Sequence, residues 1–169
     1  SRLVALQSAL WVAGHRFTSF QVAVEYMSQL DAINRGATDR GRAETVASLF
    51  TNASRAFVNA HSALNYATDE VVEPALIENN PPVRSNKTLS EFGEYIGSAL
   101  LRVARLEPTA ILLSEYDPKL ILANQDALKY AMNRSVQYRH RDLSDAFPAF
   151  SESILIAGVV TFVVTILLT

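Results

Sequence analysis

The sequence predicts an all-α protein: an antiparallel up-down-up-down four-helix bundle followed by a C-terminal transmembrane helix. Three observations carry that expectation. Apolar residues recur at alternating gaps of three and four over two long stretches, helix punctuation falls between them, and the chain closes on an uncharged apolar run. The expected division is a bundle over residues 1–146 and a hinge with a single membrane helix over 147–169.

The first helix is set by Leu3, Leu6, Leu10, Ala13, Phe17, Phe20, Val24 and Met27, a heptad seam of more than three repeats. Asn34-Arg35-Gly36-Ala37-Thr38-Asp39 ends it. Gly36 suits a left-handed C-terminal position, and Thr38 or Asp39 suits an N-cap. So short a joint makes the next helix antiparallel. That second helix follows Ala43, Val46, Phe50, Ala53, Phe57, Ala60, Leu64, Ala67 and Val71. Large Phe50 and Phe57 alternate with small Ala53, Ala60 and Ala67, so a neighbouring helix can approach closely and Phe17 and Phe20 can fill the space left. These five residues are expected to form a helix-helix interface.

Pro74 disturbs the second helix and Asn79-Asn80-Pro81-Pro82 ends it. Thr88 and Glu91 have the spacing of a capping box and open a third helix with Phe92, Ile96, Ala99, Val103 and Leu106 inward. Pro108 bends or splits it. Asp117-Pro118 reads as the N-cap and first turn of a fourth helix that runs to about Ser144, with Ile121, Leu128, Ala131 and Tyr138 on one side and Asn124 and Ser135 interrupting. Phe147-Pro148-Ala149-Phe150 is expected to hinge this helix to the tail. The up-down order brings Ser1 and the tail to one end.

The tail, Ile154 to Thr169, has sixteen residues, eleven of them Ile, Leu, Val or Phe, and no charge. Its apolar residues favour insertion by about 3 to 7 kcal/mol in total, while its length, about 24 Å as a helix, is short against a hydrocarbon core of about 30 Å. A buried core helix or a filament spine is the plain alternative. The run stops at Thr169 with no cation beyond it and Ser1 stands in place of a methionine, so sequence beyond both ends is expected. Leu3 to Val12 is apolar enough to be the trailing end of another membrane helix. Ser153, Ala157, Thr161 and Thr165 recur every fourth residue and form a small, weakly polar stripe. In lipid such a stripe lets helices approach and hydroxyls bond across the contact, whereas alone the threonines would bond to their own turn. The expected partners are therefore the bilayer and other membrane subunits, or a second copy, met through the tail.

Chemistry is sparse. A net charge of −2 with dispersed basic residues argues against nucleic acid, and the absence of cysteine removes disulfides, thiolate metal sites and thiol nucleophiles. His15, His61 and His140 sit on three predicted helices without any metal-ligand spacing, and His61, next to seam residue Ala60, is expected at the edge of the contact, satisfied or facing solvent. Asp69, Glu70 and Glu73 read as a solvated helix face. No catalytic, cofactor or metal site is expected, and the chain is read as noncatalytic. Arg134, Arg139 and Arg141 precede the tail, which by the positive-inside rule puts the bundle in the cytoplasm; the sequons at Asn52, Asn86 and Asn133 oppose that, and two of them fall mid-helix.

The stretch Asp39-Arg40-Gly41-Arg42-Ala43 after a long helix resembles the acidic-Arg-Gly segment of helical sensor domains in bacterial chemoreceptors and nitrate-responsive proteins. The likeness covers those five residues, with Asp39 where that family has glutamate. It implies an antiparallel bundle outside the membrane that continues directly into a transmembrane helix. The expected function is an accessory or structural subunit of a membrane assembly, since the tail stripe and the alanine seam are both devices for helix contact; the alternative, which the resemblance implies, is the extracytoplasmic ligand-binding domain of a chemoreceptor or histidine-kinase type sensor.

Overall fold

The seam beginning at Leu3 becomes α1, Arg2–Asn34, in the computed structural model, which describes residues 2–36, 40–64, 71–72 and 87–167. Ala13, Phe20, Val24 and Met27 are buried, while Leu3, Leu6 and Leu10 are only half-buried. The helix stops as the sequence requires. The Arg35 and Gly36 amides donate to the carbonyls of Asp31 and Ile33, and Gly36 turns to φ 78°, a conformation open to glycine at little cost. The expected caps Thr38 and Asp39 lie outside the described residues. A 3-10 turn at Arg40–Arg42 leads into α2, Ala43–Ala63, whose N-cap residue is Arg42, with no side-chain cap.

Along α2, Val46, Phe50, Ala53, Phe57 and Ala60 are buried, and the Phe57 ring meets that of Phe20 at 5.4 Å between centroids. The alternation of large and small residues therefore does bring α1 and α2 together. The helix is shorter than its periodicity suggests. It ends at Ala63, with Leu64 in an extended conformation, and Val71–Val72 (β1) pair antiparallel with Lys87–Thr88 (β2), Val71 opposite Thr88. Two adjacent β-branched valines favour extended backbone, and the pairing draws the chain back toward the next helix. Ala67 lies outside the described residues.

Thr88 caps α3, Leu89–Val103, with both arms of the capping box: its hydroxyl accepts from the Glu91 amide at 3.2 Å, and the Glu91 carboxylate accepts from the Thr88 amide at 3.1 Å. Phe92, Ile96, Ala99 and Val103 are buried as expected. Leu106 is not; α3 ends before it, and it is 44 % exposed. The link to α4 is held against the end of α1. Asn34 Nδ2 donates to the carbonyls of Pro108 and Ile111, both at 2.8 Å, and Asp31 accepts from the Leu113 amide at 2.9 Å while pairing with Arg35 at 2.8 Å. Backbone groups that the 3-10 turn at Pro108–Ala110 leaves unpaired are thus satisfied by side chains 74 to 82 residues away.

α4 runs from Tyr116 to Leu167, 52 residues without a break. Asp117 sits in its first turn, and its carboxylate grips Arg102 of α3 in a two-pronged contact at 2.9 and 2.7 Å. Ile121, Leu128 and Ala131 are buried, but Tyr138 is 47 % exposed, and Asn124, read as an interruption, is buried with its amide donating to the Leu120 carbonyl. The expected hinge is absent. Pro148 lies inside the helix, where it removes one backbone hydrogen bond without ending the spiral, and Ser151 Oγ donates to its carbonyl at 2.9 Å.

Each helix packs against its sequence neighbour, and α1 closes the ring on α4. The order is antiparallel throughout, consistent with a four-helix bundle. The end of α1 meets the link before α4, whereas Arg2 and Leu6 share a cleft with Asp142, Asp145 and Ala146 near the far end of the same pair. Beyond Ala146 the α4 backbone continues as helix for about 32 Å, to Leu167. The C-terminal transmembrane helix is not found: among the described residues no helix is long and apolar enough to cross a membrane. Only fourteen residues of the apolar run, Ile154 to Leu167, fall within α4. Ser153, Ala157, Thr161 and Thr165 lie on its helical backbone, with their side chains outside the described part.

Candidate functional site

Apart from Asp31 at the end of α1 and Asn124 on α4, the buried polar side chains among the described residues lie on α1 and α2, most of them near the level where α1, α2 and α3 meet. There Arg16 of α1 is 0 % exposed, His61 of α2 is 3 % exposed, and Ser19 and Ser54 are buried close by in sequence on the same two helices. Helix geometry brings them to this depth. Arg16 lies four residues before Phe20 and His61 four after Phe57, and since α1 and α2 are antiparallel with these phenylalanines in contact, both polar residues fall one turn to the same side of that contact.

His61 is fixed from three directions. Its Nε2 donates to the Ser90 carbonyl in the first turn of α3 at 2.9 Å, its ring stacks on Phe57 at 5.7 Å, and its edge lies against Gly93. Any side chain at position 93 would collide with the imidazole, so the glycine is what lets α3 close over it. Burial lowers the His61 pKa; the Ser90 hydrogen bond opposes that, Arg16 adds to the lowering, and Glu94 opposes it. With Nε2 carrying the proton, the neutral ring keeps Nδ1 as its basic nitrogen. The hydroxyl of Ser54 has no hydrogen-bond partner among the described residues.

The sign of the pH effect follows. The unfolded chain takes up a proton near pH 6.5, and folded His61 resists it, so stability is complete above that value and declines as pH falls below it. The melting temperature should drop between pH 8 and pH 5, and His61→Gln should flatten that slope. Equal slopes in the two proteins would remove His61 as the cause.

Among the described residues no group of three or more His, Asp or Glu side chains could hold a metal ion. His61, expected at the edge of the α1 and α2 contact and satisfied or facing solvent, is buried against α3 and bonded to the Ser90 carbonyl. Arg16 was not singled out by the sequence reading. Its signal is visible in retrospect as the one charged residue between Leu3 and Val24. The other histidines lie apart: His15 is exposed and stacks on Trp11 at 5.3 Å, and His140 lines an open groove on α4 with Leu143 and Phe147.

Of the expected interface residues, Phe50, Ala53 and Phe57 join the hydrophobic core cluster, and Ala60 is buried. At the far end of the bundle, Tyr95 and Tyr116 hydroxyls approach to 3.5 Å beside the Arg102–Asp117 pair, and the Tyr95 phenol is pushed up to about 12, first by that hydrogen bond and then by burial. The groups there link α3 to the start of α4. Compared with protein-family models, with curated proteins and with solved structures, the chain matches none.

Proposed function

We propose that this chain is a noncatalytic, membrane-attached helical bundle of the sensory type, in which α4 carries a change in the bundle to an apolar tail that lies in lipid. One observation supports it best: α4 passes from its clamp on α3, through the bundle and across Pro148, to Leu167 as a single helix. A passive anchor needs only a tether, and a flexible hinge would serve. A relay needs stiffness, because a shift or rotation at one end of a helix reaches the other only if no joint absorbs it. The first turn of α1 lies beside α4 where α4 leaves the bundle, so relative motion of these two helices is the displacement that lipid or an attached domain would receive.

The Arg16 and His61 level places ionisable groups inside the core between α1, α2 and α3, and of these α1 and α3 pack against α4. The bundle is then a stimulus-receiving part and not an enzyme. The second reading, an accessory subunit of a membrane assembly, draws support from the uncharged outer face of α1, a surface suited to another protein.

The tail is tested first. With phosphatidylcholine and phosphatidylglycerol vesicles, the full chain should float with the lipid in a density gradient, and truncation after Phe150 should leave it at the bottom. A full chain that stays monodisperse without detergent and does not float would overturn the membrane part of the proposal.

A further inference from the structure

The first turns of α3 form the cover over His61, and they fit it closely. The Ser90 carbonyl accepts from His61 Nε2 at 2.9 Å, and a methyl group at Gly93 would stand 2.6 Å from both ring nitrogens, which leaves no room for water between the ring and the α3 backbone. The far end of α3 is held differently. About 18 Å beyond Ser90, Arg102 is gripped by the Asp117 carboxylate of α4. Ahead of the His61 end stands a pairing two residues long, Lys87–Thr88 with Val71–Val72. The charges that face the ring come from two elements: Arg16 of α1, wholly buried, and Glu94 of α3, exposed. A proton on His61 therefore sits beside a second cation inside the closed bundle, while the balancing carboxylate stands in solvent, where water screens it. Phe20 and Phe57 lock α1 to α2 at this level, so relief comes from α3.

We infer that this level is a proton-driven latch: with the His61 imidazole neutral, α3 lies closed on α2, and with it protonated, the Ser90–Gly93 end of α3 lifts and admits water to the ring while α1 and α2 stay paired. The open state offers the imidazolium solvent and the Glu94 carboxylate, and the closed state offers the neutral ring its stack on Phe57 and its bond to Ser90, so each state prefers its own protonation. Burial lowers the closed-state pKa against the Ser90 hydrogen bond, and Arg16 lowers it further against Glu94. Opening takes up one proton. The equilibrium therefore shifts toward the open state as pH falls through the open-state value, near 6.5, by at most about tenfold per pH unit, and levels off below the closed-state value. As a stimulus for α4 the latch rests on the relay reading above; the opening of α3 does not.

Hydrogen exchange of the full chain in mild detergent, read by mass spectrometry between pH 7.5 and pH 5 and corrected for the intrinsic rate at each pH, tests this. Amides at 93–97 of α3 should lose protection by about tenfold as pH falls, while those at 50–57 of α2 keep theirs. His61→Gln retains a donor for the Ser90 carbonyl and cannot titrate, so its α3 protection should not change with pH. Glu94→Gln, at an exposed position, removes the counter-ion of the open state and should need a lower pH for the same opening; it carries the test if His61→Gln does not fold. Equal loss of protection in α2 and α3 would mean global unfolding and overturn the latch. So would α3 protection that ignores pH in the unmodified chain, a His61→Gln profile that matches it, or a Glu94→Gln profile that does not move. Flotation separates the latch from the membrane reading. A chain whose α3 opens in acid but that does not float upholds the latch and removes the anchor, and a chain that floats with α3 unresponsive removes the latch alone.

Discussion

Phe57→Ala should lower the unfolding free energy by about 3 to 5 kcal/mol, the range for truncating a fully buried aromatic side chain. Phe57 is 0 % exposed and stands at the junction of three helices: its ring meets Phe20 of α1, stacks on His61, and lies against Gly97 of α3. No single neighbour can fill the space it leaves. Phe20 approaches from a rigid helix, and His61 is tied to the Ser90 carbonyl. The void would persist, so the cavity adds to the lost burial. Urea denaturation of the two proteins measures this, as a lower midpoint at unchanged slope. A cost under about 1 kcal/mol would mean that α1 and α3 collapse into the space and that packing at this level is looser than the geometry indicates.

Gly93→Ala should cost about 1 to 3 kcal/mol, although alanine is the better helix former by about 1 kcal/mol. The new methyl group would stand 2.6 Å from both ring nitrogens of His61. The imidazole has to swing away, giving up its stack on Phe57 and its bond to the Ser90 carbonyl, which is then left short of a donor. The partner variant makes the argument sharp. In a His61→Ala background the obstacle is gone, so Gly93→Ala should be neutral or stabilising, and the double-mutant cycle should show a coupling of more than about 1 kcal/mol. Additive costs would place the conflict elsewhere.

These two positions also mark where reading the chain stops short. The seam containing Phe57 is a local pattern and can be read directly. Gly93 falls one residue after an inward position of α3, and nothing in its own segment says that a histidine from α2 will lie there. His61 was legible only as an edge position, because its burial depends on a third helix closing over that edge. The same holds for Asp31 and Asn34: in sequence they are polar residues at a helix end, and in the fold they carry the backbone of the α3 to α4 link.

Signals written within a few residues decided the helices themselves. The alternating seams, Gly36, and the Thr88 and Glu91 box fix where α1 and α3 lie and how each begins or ends, because backbone conformation and capping answer to near neighbours. Signals that depend on competition between distant segments were decided only by the assembled fold. α2 stops at Ala63 although its periodicity continues, because the valines at 71 and 72 pair with residues 87 and 88. α4 passes through Pro148 although a proline there suggests a hinge, because helix on both sides outweighs one missing hydrogen bond. The sequence alone determined that α1 has apolar residues on two sides. Which side became core was settled by tertiary packing: α2 and α4 cover the seam at Phe20 and Met27, and the opposite side, with Trp11, is left to meet whatever lies outside the bundle.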